Sequence, residues 1–159
     1  MIFFDASAAA KRYFQEIGSD RVNELWSGRE FFSSLVILHC ELTAALNRKR
    51  RERALPRGAY YTLKEQIQED LKKIQAVPVN AELIQLSLRL LDSHPLKALD
   101  SLYLAGALGL QQTLKEPVLF VSAGRQLLQA AQAEGLRALN PEMTPCNALL
   151  RLYDNKRLS

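Results

Sequence analysis

Pro117-Val118-Leu119-Phe120-Val121-Ser122 is the stretch on which the fold turns. Proline opens a run of four apolar residues, three of them β-branched or aromatic, and the small residues Ser122-Ala123-Gly124 close it. It is the clearest strand signal in the chain. Downstream, Leu127, Leu128, Ala130 and Ala131 predict a helix that stops at Gly135, a good residue just past a helix end. Leu136 to Leu139 follows as a last strand, and Asn140-Pro141 ends the regular pattern. Upstream, Leu96 to Leu110 is a helix apolar nearly all round, hence central. Before it lies a helix capped by Asn80, with Leu83, Leu86, Leu90 and Leu91 as its buried stripe, broken by His94-Pro95. Further out come a short strand through Val77 and Val79, with Pro78 suggesting an edge or a strand start, and a charge-laced helix from Tyr60 to Ile74. A helix through Leu35, Leu38, Leu42, Ala45 and Leu46, capped by Ser33 or Ser34, follows a short strand at Phe31-Phe32. Met1 to Phe4 reads as a buried strand ended by Asp5, and Ser7 suits the cap of a helix carrying Ala8, Ala9, Tyr13 and Phe14. Short apolar strands alternating with amphipathic helices predict an α/β fold with a mainly parallel sheet. In such folds working residues gather at the carboxyl ends of strands, where Asp5 and Ser122-Ala123-Gly124 stand.

The bulk properties bound the function. The 159 residues suit one domain, and 48% hydrophobic with 24% charged residues is a globular composition without general disorder. No internal repeat, low-complexity segment or interdomain linker interrupts it. Cys40 and Cys146 are too few for a disulfide framework and lack zinc-site spacing, so a reduced cytoplasm is the expected compartment. No apolar run approaches the ~20 residues that span a bilayer. Asp5 interrupts any leader-like opening almost at once. A net charge of +4 and pI near 9.2 bias the chain toward polyanions. Arg48, Lys49, Arg50, Arg51, Arg53 and Arg57 crowd ten positions against Glu52 alone. That run suits either a solvated helix end or a phosphate-contacting patch.

Two acids are out of place for a plain core. Glu41 lies between Leu38 and Leu42, and Asp100 lies inside the most apolar helix. An ionised carboxylate is rarely buried without a partner. Singly, Asp5 suits a helix cap and Asp100 an ion pair with Lys97. Together, three carboxylates on one α/β sheet repel one another unless a cation neutralises them, and a hard ion such as Mg²⁺ or Mn²⁺ is the natural one.

Four segments then resemble the PIN domains of VapC-type toxin ribonucleases. Phe3-Phe4-Asp5-Ala6-Ser7 through Tyr13 is similar to the family's opening strand, first acid and helix. Ser33-Ser34-Leu35 through Glu41-Leu42-Thr43-Ala44-Ala45-Leu46 resembles the segment where a helix presents the family's Glu. His94-Pro95-Leu96-Lys97-Ala98-Leu99-Asp100 through Ala105 resembles the third-acid segment most specifically. Phe120-Val121-Ser122 into Leu127-Leu128-Gln129-Ala130-Ala131, then Glu134-Gly135-Leu136 to Asn140-Pro141, follow the family's last strand, helix and strand.

The resemblance implies a PIN-like three-layer α/β/α sandwich over residues 1–142, with 143–159 an extension packing on the domain or a partner. It implies divalent-metal-dependent hydrolysis of RNA phosphodiesters, with Asp5, Glu41 and Asp100 holding Mg²⁺ or Mn²⁺. Ser7 and Ser122 become hydrogen-bond partners that fix the carboxylates. Arg48, Lys49, Arg50, Arg51 and Lys97 become candidates for RNA contact. A cognate antitoxin, a homodimer and a cytoplasmic setting come with the family.

Two positions depart from it. Gly124 stands where the family usually has a fourth acid, and Lys97 where it commonly has Arg, which keeps the charge but not the fork. Gly124 keeps alive an alternative, a degenerate PIN domain that binds RNA or an antitoxin without cleaving. His94 suits a turn, and His39 faces away from Glu41 with no paired ligand. No nucleophile elbow or Cys–His pattern supports covalent hydrolysis. No glycine-rich phosphate loop supports a nucleotide-binding protein of other chemistry.

Overall fold

Ile2 and Phe4 point to one side of a strand and Phe3 to the other, and that alternation seeds two cores. The computed structural model, which describes residues 1–28 and 30–143, places this strand, β1 (Ile2–Phe4), at the centre of a five-stranded sheet. In chain order there follow α1 (Ala6–Ala10), α2 (Ser19–Ser27), β2 (Phe32–Leu35), α3 (Leu38–Arg51), α4 (Ala59–Leu71), β3 (Ile74–Val77), α5 (Ala81–Ser93), α6 (Ala98–Leu114), β4 (Leu119–Val121), α7 (Arg125–Ala133) and β5 (Arg137–Leu139). The strands run in the order β3-β2-β1-β4-β5, all parallel, with Phe3 opposite Ser33 on one side and Phe120 on the other.

Ile2, Phe4, Phe32, Leu119 and Val121 pack with α1 to α4 through Val22, Leu25, Leu38, Leu42, Leu46, Ile67 and Leu71. Phe3, Leu35 and Phe120 pack with α5 to α7 through Leu83, Leu90, Tyr103, Leu104, Leu127 and Leu128. Three layers, α/β/α, result from the two-residue period of the strands set against the 3.6-residue period of the helices. Gly106 lets α6 lie close on the sheet, since a Cβ there would stand 2.6 Å from Leu35 Cδ2 and 3.1 Å from Phe3 Cζ.

Several boundaries differ from the sequence reading. β2 extends to Leu35, so Ser33 and Ser34 are buried strand residues and not helix caps. Their hydroxyls donate to the carbonyls of Gln75 and Phe4, at 2.8 and 2.7 Å, which satisfies them inside the sheet. α3 starts later, after Ile37, with no side-chain cap. Asp5, not Ser7, caps α1. Ile74 leaves the charge-laced helix to open β3, where it pairs with Phe32 and packs on the first core. Pro78 follows that edge strand instead of lying in it. α2, built on Val22, Leu25 and Trp26, was not anticipated. Asn80 does cap α5 through Leu83 N–H, α5 does end before His94, and Gly135 does take a positive φ of 84°. The extension expected for 143–159, with Cys146, lies outside the described residues from 144 onward.

Candidate active site

Asp5 leaves the carboxyl end of the central strand, where the sheet topology collects polar groups. It is 5% exposed. Its Oδ1 accepts from the Ala8 N–H at 2.8 Å, and its Oδ2 from the Ser122 hydroxyl at 2.8 Å. The Ser7 hydroxyl lies between both oxygens, at 2.8 and 2.9 Å. Three protons thus meet a group with about four acceptor positions, which leaves one open. Ser7 in turn accepts from Ala123 N–H, and Ser122 from Gly124 N–H, both at 2.9 Å. The turn after β4 is therefore bonded to the hydroxyls that hold Asp5.

Burial raises the Asp5 carboxyl to about 6, although the bonds from Ala8, Ser122 and Ser7 pull it down; the neighbouring Asp100 charge adds to the rise. Asp100 sits in the first turn of α6, where a helix N-terminus favours an anion. Its carboxylate takes no hydrogen bond or ion pair among the described residues. Lys97, exposed at the N-cap of α6, does not pair with it.

Glu41 lies in the first turn of α3, half-buried. Its Oε2 accepts a very short bond from the Tyr103 phenol, which is 2% exposed and stands one helical turn beyond Asp100. Burial, the Glu41 bond and the charges of Glu41 and Asp5 all push the Tyr103 hydroxyl far above its ordinary range. Tyr103 was not anticipated; a lone phenol among the leucines and alanines of α6, three residues after an acid, was the available signal.

The charge of Asp100 thus reaches Asp5, and Glu41 is bonded to Tyr103, whose hydroxyl also feels the charge of Asp5. Among the described residues, no three His, Cys, Asp or Glu side chains gather into a ready group for a metal ion, and Glu41 is engaged by the phenol. The donor set nonetheless fits a hard divalent cation. It is all oxygen, it holds a desolvated carboxylate with an open acceptor position beside a second acid, and Mg²⁺ needs only one or two direct carboxylates.

A cleft of about 390 Å³ adjoins the site, lined by Ser7, Glu41 and Ala123 together with Lys11, Arg48 and Lys49. Lys49 is tied to Glu16 at 2.9 Å and lies over the Phe14 ring. Arg50 stacks on Tyr60 at 4.5 Å, turned toward α4. Arg51 is exposed at the helix end. Of the basic run, then, Arg48 and Lys49 border the cleft. His39 is exposed, and His94 pairs with Glu134 at 2.7 Å, away from the acids.

A PIN-domain family model matches residues 2–132. The chain belongs to the PIN-domain family. "Ribonuclease VapC45" of Mycobacterium tuberculosis (strain CDC 1551 / Oshkosh) is 27% identical over 146 residues, covering 91% of this chain and 99% of the relative. "Ribonuclease VapC49" of strain ATCC 25618 / H37Rv matches with the same figures. Among solved structures, a "Toxin-antitoxin complex from Klebsiella pneumoniae" superposes with a TM-score of 0.55 at 12% identity, over 89% of this chain and 98% of that one. That likeness is one of fold. Asp5 follows β1 as the N-cap of α1, Glu41 and Asp100 stand in the first turns of α3 and α6, and Gly124 is the N-cap of α7, with φ −78° and ψ 109°.

Proposed function

We propose that this PIN domain is a divalent-metal-dependent endoribonuclease of the VapC type, the toxin of a toxin–antitoxin pair. The observation that supports it best is the Asp5 carboxylate. It is buried, held by three donors with one acceptor position open, and set against the charge of Asp100.

Asp5 and Asp100, with Glu41, would hold Mg²⁺ or Mn²⁺ directly or through water. When bound, the ion supplies positive charge against the phosphate oxygens and acidifies water at neutral pH. Ser7, Ser122 and the Ala8 N–H fix the rotamer of Asp5, so the acid needs no reorganisation as the ion enters. Tyr103 restrains Glu41 at the mouth of the site. Lys11, Arg48 and Lys49 line the adjoining cleft together with the carboxylates of Glu16 and Glu142.

Residues 1–142 would constitute the nuclease domain, with the remainder packing on it or on a partner. An antitoxin and a second copy of the chain are the expected partners, and the cytoplasm the expected compartment; no helix among the described residues is long and apolar enough to cross a membrane. Asp100→Asn should abolish both RNA cleavage and Mn²⁺ binding by calorimetry, while the variant stays folded. Full Mn²⁺ binding and cleavage by Asp100→Asn would overturn the assignment.

Gly124 favours a second reading, a PIN domain that binds RNA or an antitoxin without cleaving. With no side chain at the start of α7, the acids lose one charge and a second ion loses a ligand. An Mn²⁺ titration with no heat at millimolar metal would select this reading.

A further inference from the structure

We infer that Lys11 is the cation with which the cleft recognises a phosphate of the RNA backbone, its place taken by Glu142 when no RNA is bound. This rests on the ribonuclease reading above. Lys11 follows α1 in helical conformation, four residues after Ser7, so both side chains share the face that lines the cleft beside Asp5. Its side chain is only 5% exposed. A buried ammonium is costly unless paired, and its partners here are Glu142 Oε1 at 2.7 Å and Glu16 Oε2 at 3.7 Å.

The two acids are not equivalent. Glu16 also accepts from Lys49 at 2.9 Å, the first cause of its lowered carboxyl. Glu142 pairs with Lys11 alone among the described residues. Both acids are over a third exposed, so solvent reaches them while the lysine stays enclosed. A backbone phosphate offers the same anionic oxygens as a carboxylate. Exchanging one for the other keeps the ion pair, and the fold has already borne the desolvation of the ammonium.

The test compares wild type, Lys11→Met and Glu142→Gln by anisotropy of a labelled short single-stranded RNA in EDTA, from about 50 to 200 mM salt, with a melting curve for each. Lys11→Met should weaken binding five- to tenfold and lower the log–log salt slope by about 0.7, one phosphate contact on a single strand. Glu142→Gln should tighten binding several-fold. Glu142→Gln leaves the enclosed ammonium with Glu16 alone and should lose more melting temperature than Lys11→Met, so a purely structural pair would weaken RNA binding in both variants, and more in Glu142→Gln. Weakening in both, or an unmoved slope in Lys11→Met, overturns the inference. If Lys11→Met fails to fold, Glu142→Gln decides alone: tighter binding supports it, and unchanged or weaker binding overturns it. A wild type that binds no RNA removes the ribonuclease reading and this inference together. A wild type that binds while the variants do not differ removes the inference only.

Discussion

At the residue scale Asp5 reverses the ordinary behaviour of a carboxylate. Its folded pKa of about 6 lies above the usual 3.8, so the folded state holds the proton more tightly than the unfolded chain. Its contribution to stability is whole below about pH 4 and is lost as pH rises through about 6, a gap of about 3 kcal/mol. In metal-free buffer, the stability of wild type minus that of Asp5→Asn should fall by about 2–3 kcal/mol from pH 4 to pH 7.5 in urea titrations. Asparagine does not titrate, so the pH dependence of the difference reports the net shift of Asp5, burial less its opposing hydrogen bonds. A flat difference would mean that the hydrogen bonds cancel the effect of burial. Tyr103 offers the second test. Tyr103→Phe removes the phenol that restrains Glu41, and should weaken Mn²⁺ binding about tenfold while costing only about 1 kcal/mol of stability. Unchanged calorimetry would make the phenol a packing group alone.

At the element scale, β1, β4, α6 and α7 were legible because their apolar periods are unmixed, and Asp5, Glu41 and Asp100 each stand out against them. The start of α3 was not. Ser33 and Ser34 have the chemistry of helix caps, and only a neighbouring strand, supplying the carbonyls of Gln75 and Phe4, makes them strand residues. α2 was missed because only Val22, Leu25 and Trp26 of its nine residues are apolar, too short a stripe to mark a helix. The Lys11–Glu142 pair joins positions 131 apart, where no local pattern reaches. The N-terminus of α7 decides what Gly124 costs. Its φ of −78° is open to any residue, and a Cβ would meet Leu127 Cβ and Ser122 Oγ at 3.4 Å, ordinary contact. Aspartate is also a favoured N-cap. Gly124→Asp should therefore fold, bind Mn²⁺ more tightly by calorimetry and cleave a fluorogenic RNA faster. A folded variant with neither gain would place the family's fourth acid elsewhere or retire the site.

At the scale of the whole molecule the site and the cores are one object, because α6 carries Asp100 and Tyr103 while resting on the sheet through Gly106. Gly106→Ala should cost about 1–3 kcal/mol, as Leu35 and Phe3 are pushed back, and should also shrink the stabilisation that Mn²⁺ gives. In wild type, Mn²⁺ at about 100 times its dissociation constant should add roughly 2.7 kcal/mol, a rise of roughly 5–10 °C in Tm. A scanning calorimeter reads both, and a wild-type Tm indifferent to Mn²⁺ would count against a working metal site. The parallel sheet has one consequence in time. Asp5 is held by Ser122, 117 residues further along the chain, and β1 gains its second neighbour only with β4. At roughly 5–20 residues per second, a ribosome takes roughly 6–25 s to travel from one to the other. Throughout that interval the growing polypeptide carries its central acid without the hydroxyl that fixes it. On the ribonuclease reading, the site would stay unassembled until the ribosome has passed Ser122.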